Sequence, residues 1–175
     1  MRRYTPFIAL SLLATAGCST VIDEAPTEVG SAVISDRSGN NVGTARLFAE
    51  DGEVTISVSL DGLSAGTHAV HLHTTGDCSA GDFTSAGGHL NPMGNQHGFE
   101  NLQGAHLGDL PNAEVSRAGV GTVSTTLRGS SDTVISQIFD ADGTALVVHE
   151  GADDYRTDPA GAAGSRVACG VFARS

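Results

Sequence analysis

Seven histidines stand in this chain, and their spacing sorts them into groups. His68, His71 and His73 fall within the run HAVHLHTTGDC, which closes on Cys78. On a β-strand, residues i and i+2 share a face, so His71 and His73 would project together while Val70 and Leu72 turn to the core. Two imidazoles aimed at one point are the beginning of a metal site. Farther along come His89, His97, His106 and Asp109, spaced H-x7-H-x8-H-x2-D. Three imidazoles and a carboxylate make a four-coordinate set suited to zinc. His149 ends the run TALVVH, where it could join the H-x-H pair. A single H-x-H is more often a pair of surface histidines. The accumulation of further donors at metal-ligand spacing turns the reading toward metal.

Such donors need a rigid frame, and the rest of the sequence reads as one built from strands. Twenty-three glycines, few aromatics and short runs of Val, Ile and Thr favour many strands and turns over helices. Strand-like runs are expected at residues 28–35, 42–49, 53–60, 67–73, 113–117, 121–127, 133–139, 144–149 and 166–173. Residues 53–60 (EVTISVSL) alternate most clearly, with Val54, Ile56, Val58 and Leu60 on one face. Asp140-Ala141-Asp142-Gly143 reads as a hairpin turn. Residues 74–111 break the pattern and carry most of the candidate ligands. A loop that long is unusual in a compact domain unless something organises it, and metal would do so. A second long loop covers residues 150–165. The expected fold is all-β, an eight-stranded antiparallel Greek-key sandwich or flattened barrel with two long functional loops.

The ends and the composition bound the function further. Met1-Arg2-Arg3 followed by an apolar Phe7–Ala16 reads as an export signal at residues 1–17, too short for a stable bilayer span. Cleavage after Ala16 (A-x-A) and cleavage before Cys18 (a lipobox, with Thr15 where Leu is usual) are both open. The second gives an otherwise unpaired Cys18 a role as a lipid attachment point. Residues 18–27 then read as a flexible tether and residues 28–175 as one domain. There is no lysine, and the formal charge of -11 becomes -13 without Arg2 and Arg3, seven arginines standing against twenty acids. So acidic a chain is a poor partner for nucleic acid. Cys78 and Cys169 lie in the globular part and could pair.

The blocks GTHAVHLHTTGD, SAGGHLNP, HG, HLGDL, LVVHEGADD and AGSRVACGV, in this order over Gly66–Val171, resemble the copper/zinc superoxide dismutase family. The resemblance implies copper on His71, His73, His89 and His149, and zinc on His89, His97, His106 and Asp109. It makes His89 a bridging imidazolate and superoxide the substrate. It implies that Asp153 links the two ligand sets and that Arg166 holds the substrate anion. It gives His68 a structural role on nearby backbone and joins Cys78 to Cys169 in a disulfide. Two departures concern the approach of substrate. Relatives carry lysines before the arginine, where this chain offers only Arg156, and Ala160 stands where the family tends to have Thr. Whether the chain is a monomer or a homodimer is open. A non-catalytic metal store is the competing class, and the presence of both His149 and Arg166 weighs against it.

Overall fold

A computed structural model describes Met1 and residues 25–175. Apart from Met1, the expected export signal, Cys18 and most of the expected tether at 18–27 lie outside the described residues. Among the described residues ten strands form: β1 (Thr27–Asp36), β2 (Asn41–Glu50), β3 (Glu53–Asp61), β4 (Gly66–His68), β5 (Val70–His73), β6 (Ala113–Val115), β7 (Val120–Thr126), β8 (Ala145–His149), β9 (Arg166–Val171) and β10 (Ala173–Arg174). One helix, α1 (Ser131–Ile138), and a 3₁₀ turn at Thr84–Ala86 complete the elements. The strands pair antiparallel in the order β5-β8-β9-β1-β2-β3-β7, with β10 also on β1, and β4 pairs β6 separately. This curled Greek-key sheet is the expected fold class. The β4–β6 pair ties its two ends together. β6 leads into β7 through the turn Ser116–Gly119, and β4 leads into β5 through Ala69.

Burial follows the period of two. Val54, Ile56, Val58 and Leu60 are buried along β3 in one core cluster with Val42, Ala45 and Leu47 of β2 and Ala32 and Ile34 of β1. Each fully buried aliphatic side chain contributes about 1.5–3 kcal/mol relative to exposure, so this inner face supplies the rigidity that the site needs. A smaller cluster of Phe83, Ala86, Ala145, Val147 and Cys169 packs behind the metal loop. Cys78 and Cys169 are disulfide-bonded across a sequence separation of 91 residues.

Two sequence expectations are corrected. Residues 133–138 belong to a helix, with Phe139 as its C-cap, and not to a strand, so 140–143 does not join two strands. Val134 and Ile138 are buried four apart, and Ile135 and Phe139 pack on the same core, which is a helical stripe. Asp132 in the first turn complements the helix dipole. A seven-residue run is too short to separate the two periods by inspection. The run 67–73 is also two strands, broken at Ala69. Its N–H donates to Gly151 O and its carbonyl accepts from His149 N–H, so β4 goes to β6 and β5 goes to β8.

The break matters because it leaves β5 at the end of the large sheet with one side free. The metal loop takes that side. Leu72 N–H donates to Gly108 O at 2.9 Å, and Leu90 N–H donates to Leu72 O at 2.8 Å. His71 thereby faces Asp109, and His73 faces His89, as isolated bridges. Gly108 is required by this close approach, since a Cβ there would overlap the Leu72 carbonyl.

Candidate metal centre

His71 and His73 leave β5 from one face, as expected, and are fully enclosed there. His149 arrives from the end of β8, beside β5, and His89 is pinned against β5 by the loop. Four ring nitrogens converge at this point: His71 Nδ1, His73 Nε2, His89 Nε2 and His149 Nε2. All four are buried without a hydrogen-bond partner. The four residues offer ligand atoms that lie within 4.8 Å of one another. A buried nitrogen lone pair without a partner is costly, and four aimed together fit a metal ion.

In each ring the other nitrogen is engaged. His71 Nε2 lies 2.8 Å from Asp153 Oδ2, His73 Nδ1 donates to Gly87 O at 2.9 Å, and His149 Nδ1 faces Gly164 O at 3.3 Å. These bonds fix the tautomer that leaves the converging nitrogen free. Burial pushes the His73, His149 and His89 imidazoles down to about 2, 3 and 4 respectively. They are neutral near pH 7, the form a metal takes.

The second cluster starts from the opposite nitrogen of His89. Its Nδ1 lies 2.9 Å from Asp109 Oδ1, which also has His97 Nδ1 at 3.0 Å and His106 Nδ1 at 3.2 Å. All four donors are buried and mutually close. The second carboxylate oxygen, Asp109 Oδ2, accepts from the backbone N–H groups of Gly98 and His106, both at 2.9 Å. Burial raises the Asp109 pKa, but the bonds to His89, His97 and Gly98 outweigh it and hold the carboxylate well below its usual range. For His97 burial alone favours the neutral ring. Bonds to Asp109 and Asp153 overcome it and push the imidazole up to about 9.

Asp153 stands between the clusters, with Oδ2 on His71 and Oδ1 on His97 Nε2 at 2.9 Å. Asn112 holds it through a reciprocal pair: Asn112 Nδ2 donates to Asp153 O, and Asp153 N–H donates to Asn112 Oδ1. Arg166 begins β9 opposite His149. Its guanidinium is half-buried and donates to Phe83 O at 2.7 Å and Gly87 O at 2.6 Å. Gly87 O thus orients both Arg166 and His73. His68 lies apart from the donors, with its ring nitrogens at 2.7 Å from His149 O and 2.9 Å from Ser64 O.

All the sequence-predicted donors therefore come together. Arg156 is different: it is ion-paired with Glu100, so its charge is not free for an incoming anion. Sequence reasoning missed Asn112, the Gly87 and Phe83 carbonyls, and Asp158, whose carboxylate accepts from His97 N–H at 2.7 Å. Backbone acceptors leave no trace in residue type, and Asn112 carries no local motif.

The sequence profile described as copper/zinc superoxide dismutase (SODC) matches residues 41–172. A superoxide dismutase [Cu-Zn] of Aquifex aeolicus is 39% identical over 148 residues, covering 81% of this chain and 84% of that protein. One from Caulobacter vibrioides is 37% identical over 147 residues, covering 81% and 83%. The crystal structure of a SOD-like protein from Bacillus subtilis superposes with a TM-score of 0.76 at 36% identity, covering 83% of this chain and 99% of that one.

Proposed function

The chain belongs to the copper/zinc superoxide dismutase family, an oxidoreductase family with copper and zinc as cofactors, and from that membership we propose how its residues divide the work. His71, His73, His89 and His149 hold copper, and His89, His97, His106 and Asp109 hold zinc. His89 belongs to both sets. The observation that carries this reading is the pair of ring nitrogens of His89, one in each cluster. A single imidazole serves two cations only after losing both protons, and two flanking positive charges favour that loss.

When bound, copper supplies the one-electron exchange with superoxide, and zinc supplies fixed charge without redox chemistry. Two superoxide anions and two protons give one dioxygen and one hydrogen peroxide. His89 Nε2 is the atom at which the chain holds and yields a proton. His73, His71 and His149 are kept in register by Gly87 O, Asp153 and Gly164 O. Arg166 uses two of its N–H groups on carbonyls and retains others for the substrate anion. His68 joins the backbone at Ser64 and His149, a structural task.

Residues 1–17 are read as an export signal, Cys18 as a lipid attachment point on a bacterial membrane, and 28–175 as the catalytic domain. The Cys78–Cys169 bond supports an oxidising compartment such as the periplasm or cell envelope. Among the described residues no helix is long and apolar enough to cross a membrane.

The test is metal stoichiometry with turnover. Protein loaded to one copper and one zinc per chain should convert superoxide to oxygen and peroxide, and removing copper alone should abolish it. A fully loaded protein that leaves superoxide unconsumed would make the chain a metal store.

A further inference from the structure

The segment carrying His97 and His106 is fastened to the barrel by a residue outside both ligand sets. We propose that Arg128, with Phe99, latches the zinc loop and sets how fast zinc leaves, which makes Arg128 a positioning residue for that site. This rests on the zinc ligands assigned above.

Arg128 lies two residues beyond the end of β7. Its Nη1 donates to the carbonyl of His106 at 3.2 Å, so it grips the backbone of a donor residue itself. Its guanidinium carbon lies 4.8 Å from the centroid of the Phe99 ring, within cation–π range. Phe99 stays 42% exposed, yet its ring is not adrift, since the Tyr155 ring lies 5.4 Å away. Gly98, one residue before, donates its N–H to Asp109 Oδ2. Arg128 therefore touches the loop at two points within the donor segment: at Phe99, two residues after His97, and at His106.

Behind the stack lies a cavity of about 130 Å³ bordered by Phe99, Asp109, Leu110 and Arg128. Asp109 of the zinc set is among its lining residues, with the carboxylate itself enclosed, and Phe99 and Arg128 form part of its wall. Swinging this pair aside would give water or a chelator a path toward Asp109. The Glu100–Arg156 ion pair secures the same stretch to the second long loop, whereas the Arg128 contacts join it to the chain just beyond β7.

The experiment compares zinc release from holoprotein to a colorimetric chelator in wild type, Arg128→Met and Arg128→Lys. Arg128→Met should release zinc about tenfold faster, about 1.4 kcal/mol in the release barrier. Arg128→Lys, which keeps a cation over Phe99, should recover part of that. The copper(II) spectrum and amide exchange in β1–β3 should match wild type. Release at the wild-type rate overturns the latch, and so does faster release accompanied by faster exchange across β1–β3, which marks general loosening. His97→Ala separates the two readings. If it retains zinc as tightly as wild type, the ligand assignment fails and the latch with it. If it loses zinc while Arg128→Met keeps the wild-type rate, only the latch fails.

Discussion

Asp153 Oδ1 lies 2.9 Å from His97 Nε2, and it is the bond by which one carboxylate, already holding His71, reaches the second histidine cluster. Neither oxygen can be spared. An amide in place of the carboxylate offers one acceptor, and its NH₂ would oppose the second N–H. Asp153→Asn should weaken zinc binding by about 10- to 100-fold, with a smaller loss at copper, as expected for partners that orient ligating histidines. Competition titration with a zinc chelator reads the effect. An unchanged zinc affinity would mean that the ring of His97 is held by other means.

His149 belongs to the cluster proposed for copper and not to the one built on Asp109, which it meets only through the shared His89. His149→Ala should retain zinc and lose activity by more than the about 100-fold that outer partners typically cost. Metal analysis beside a superoxide assay checks both halves. Loss of both metals together would show that the two sites fold as one unit.

The metal-free protein should have a stability maximum in pH. Unfolded imidazoles titrate near 6.5. His73, His149 and His89 are held down near 2, 3 and 4 by burial, so below about pH 6.5 the unfolded chain binds more protons and stability falls as pH falls. His97, raised to about 9, has the opposite sign: its contribution is complete below 6.5 and is lost as pH rises toward 9. Each group in its window contributes a slope of about 1.4 kcal/mol per pH unit. Urea unfolding of chelator-treated protein between pH 5 and 9 measures the curve. Zinc binding near pH 7.5 should also expel the His97 proton, readable by calorimetry in buffers of differing ionisation heat.

The sequence made the donors legible because metal chemistry restricts them to few residue types, and H-x-H on a strand fixes direction. β3 was equally legible, since its face alternates for eight residues between two turns. Residues 133–139 were not, because two buried positions four apart satisfy both periods in so short a run. The break at Ala69 was hidden as well. It depends on hydrogen bonds to Gly151 and His149, far along the chain, and nothing local announces it. The shared acceptor Gly87 O is a backbone atom, and no side chain encodes it.

The disulfide bears on the site through the same segment. Cys169 lies on β9 three residues after Arg166, and Cys78 opens the stretch whose Phe83 and Gly87 carbonyls hold that guanidinium. Cys169→Ser should cost about 4–5 kcal/mol in the chain-entropy account. A chain of this length should then melt about 10 °C lower or more by calorimetry. The turnover rate should fall along with the melting temperature, because Arg166 loses its fixed carbonyl frame. Unchanged turnover at a temperature where both proteins are folded would separate the two effects.

Electrostatic approach to the centre rests on few charges. The chain is strongly acidic overall, so attraction of a superoxide anion has to be local. Arg156, the one basic residue within the second long loop, is neutralised by Glu100. Arg166 lies against the histidines proposed for copper, through the Gly87 carbonyl it shares with His73. Arg166→Gln should therefore lower kcat/KM by about tenfold and flatten its dependence on salt, whereas Arg156→Gln should change neither by more than about twofold. Rates measured from low to high ionic strength decide it. If Arg156→Gln flattened the salt dependence as much as Arg166→Gln, the Glu100 pair would have to open in solution, and the approach path would run over the second loop.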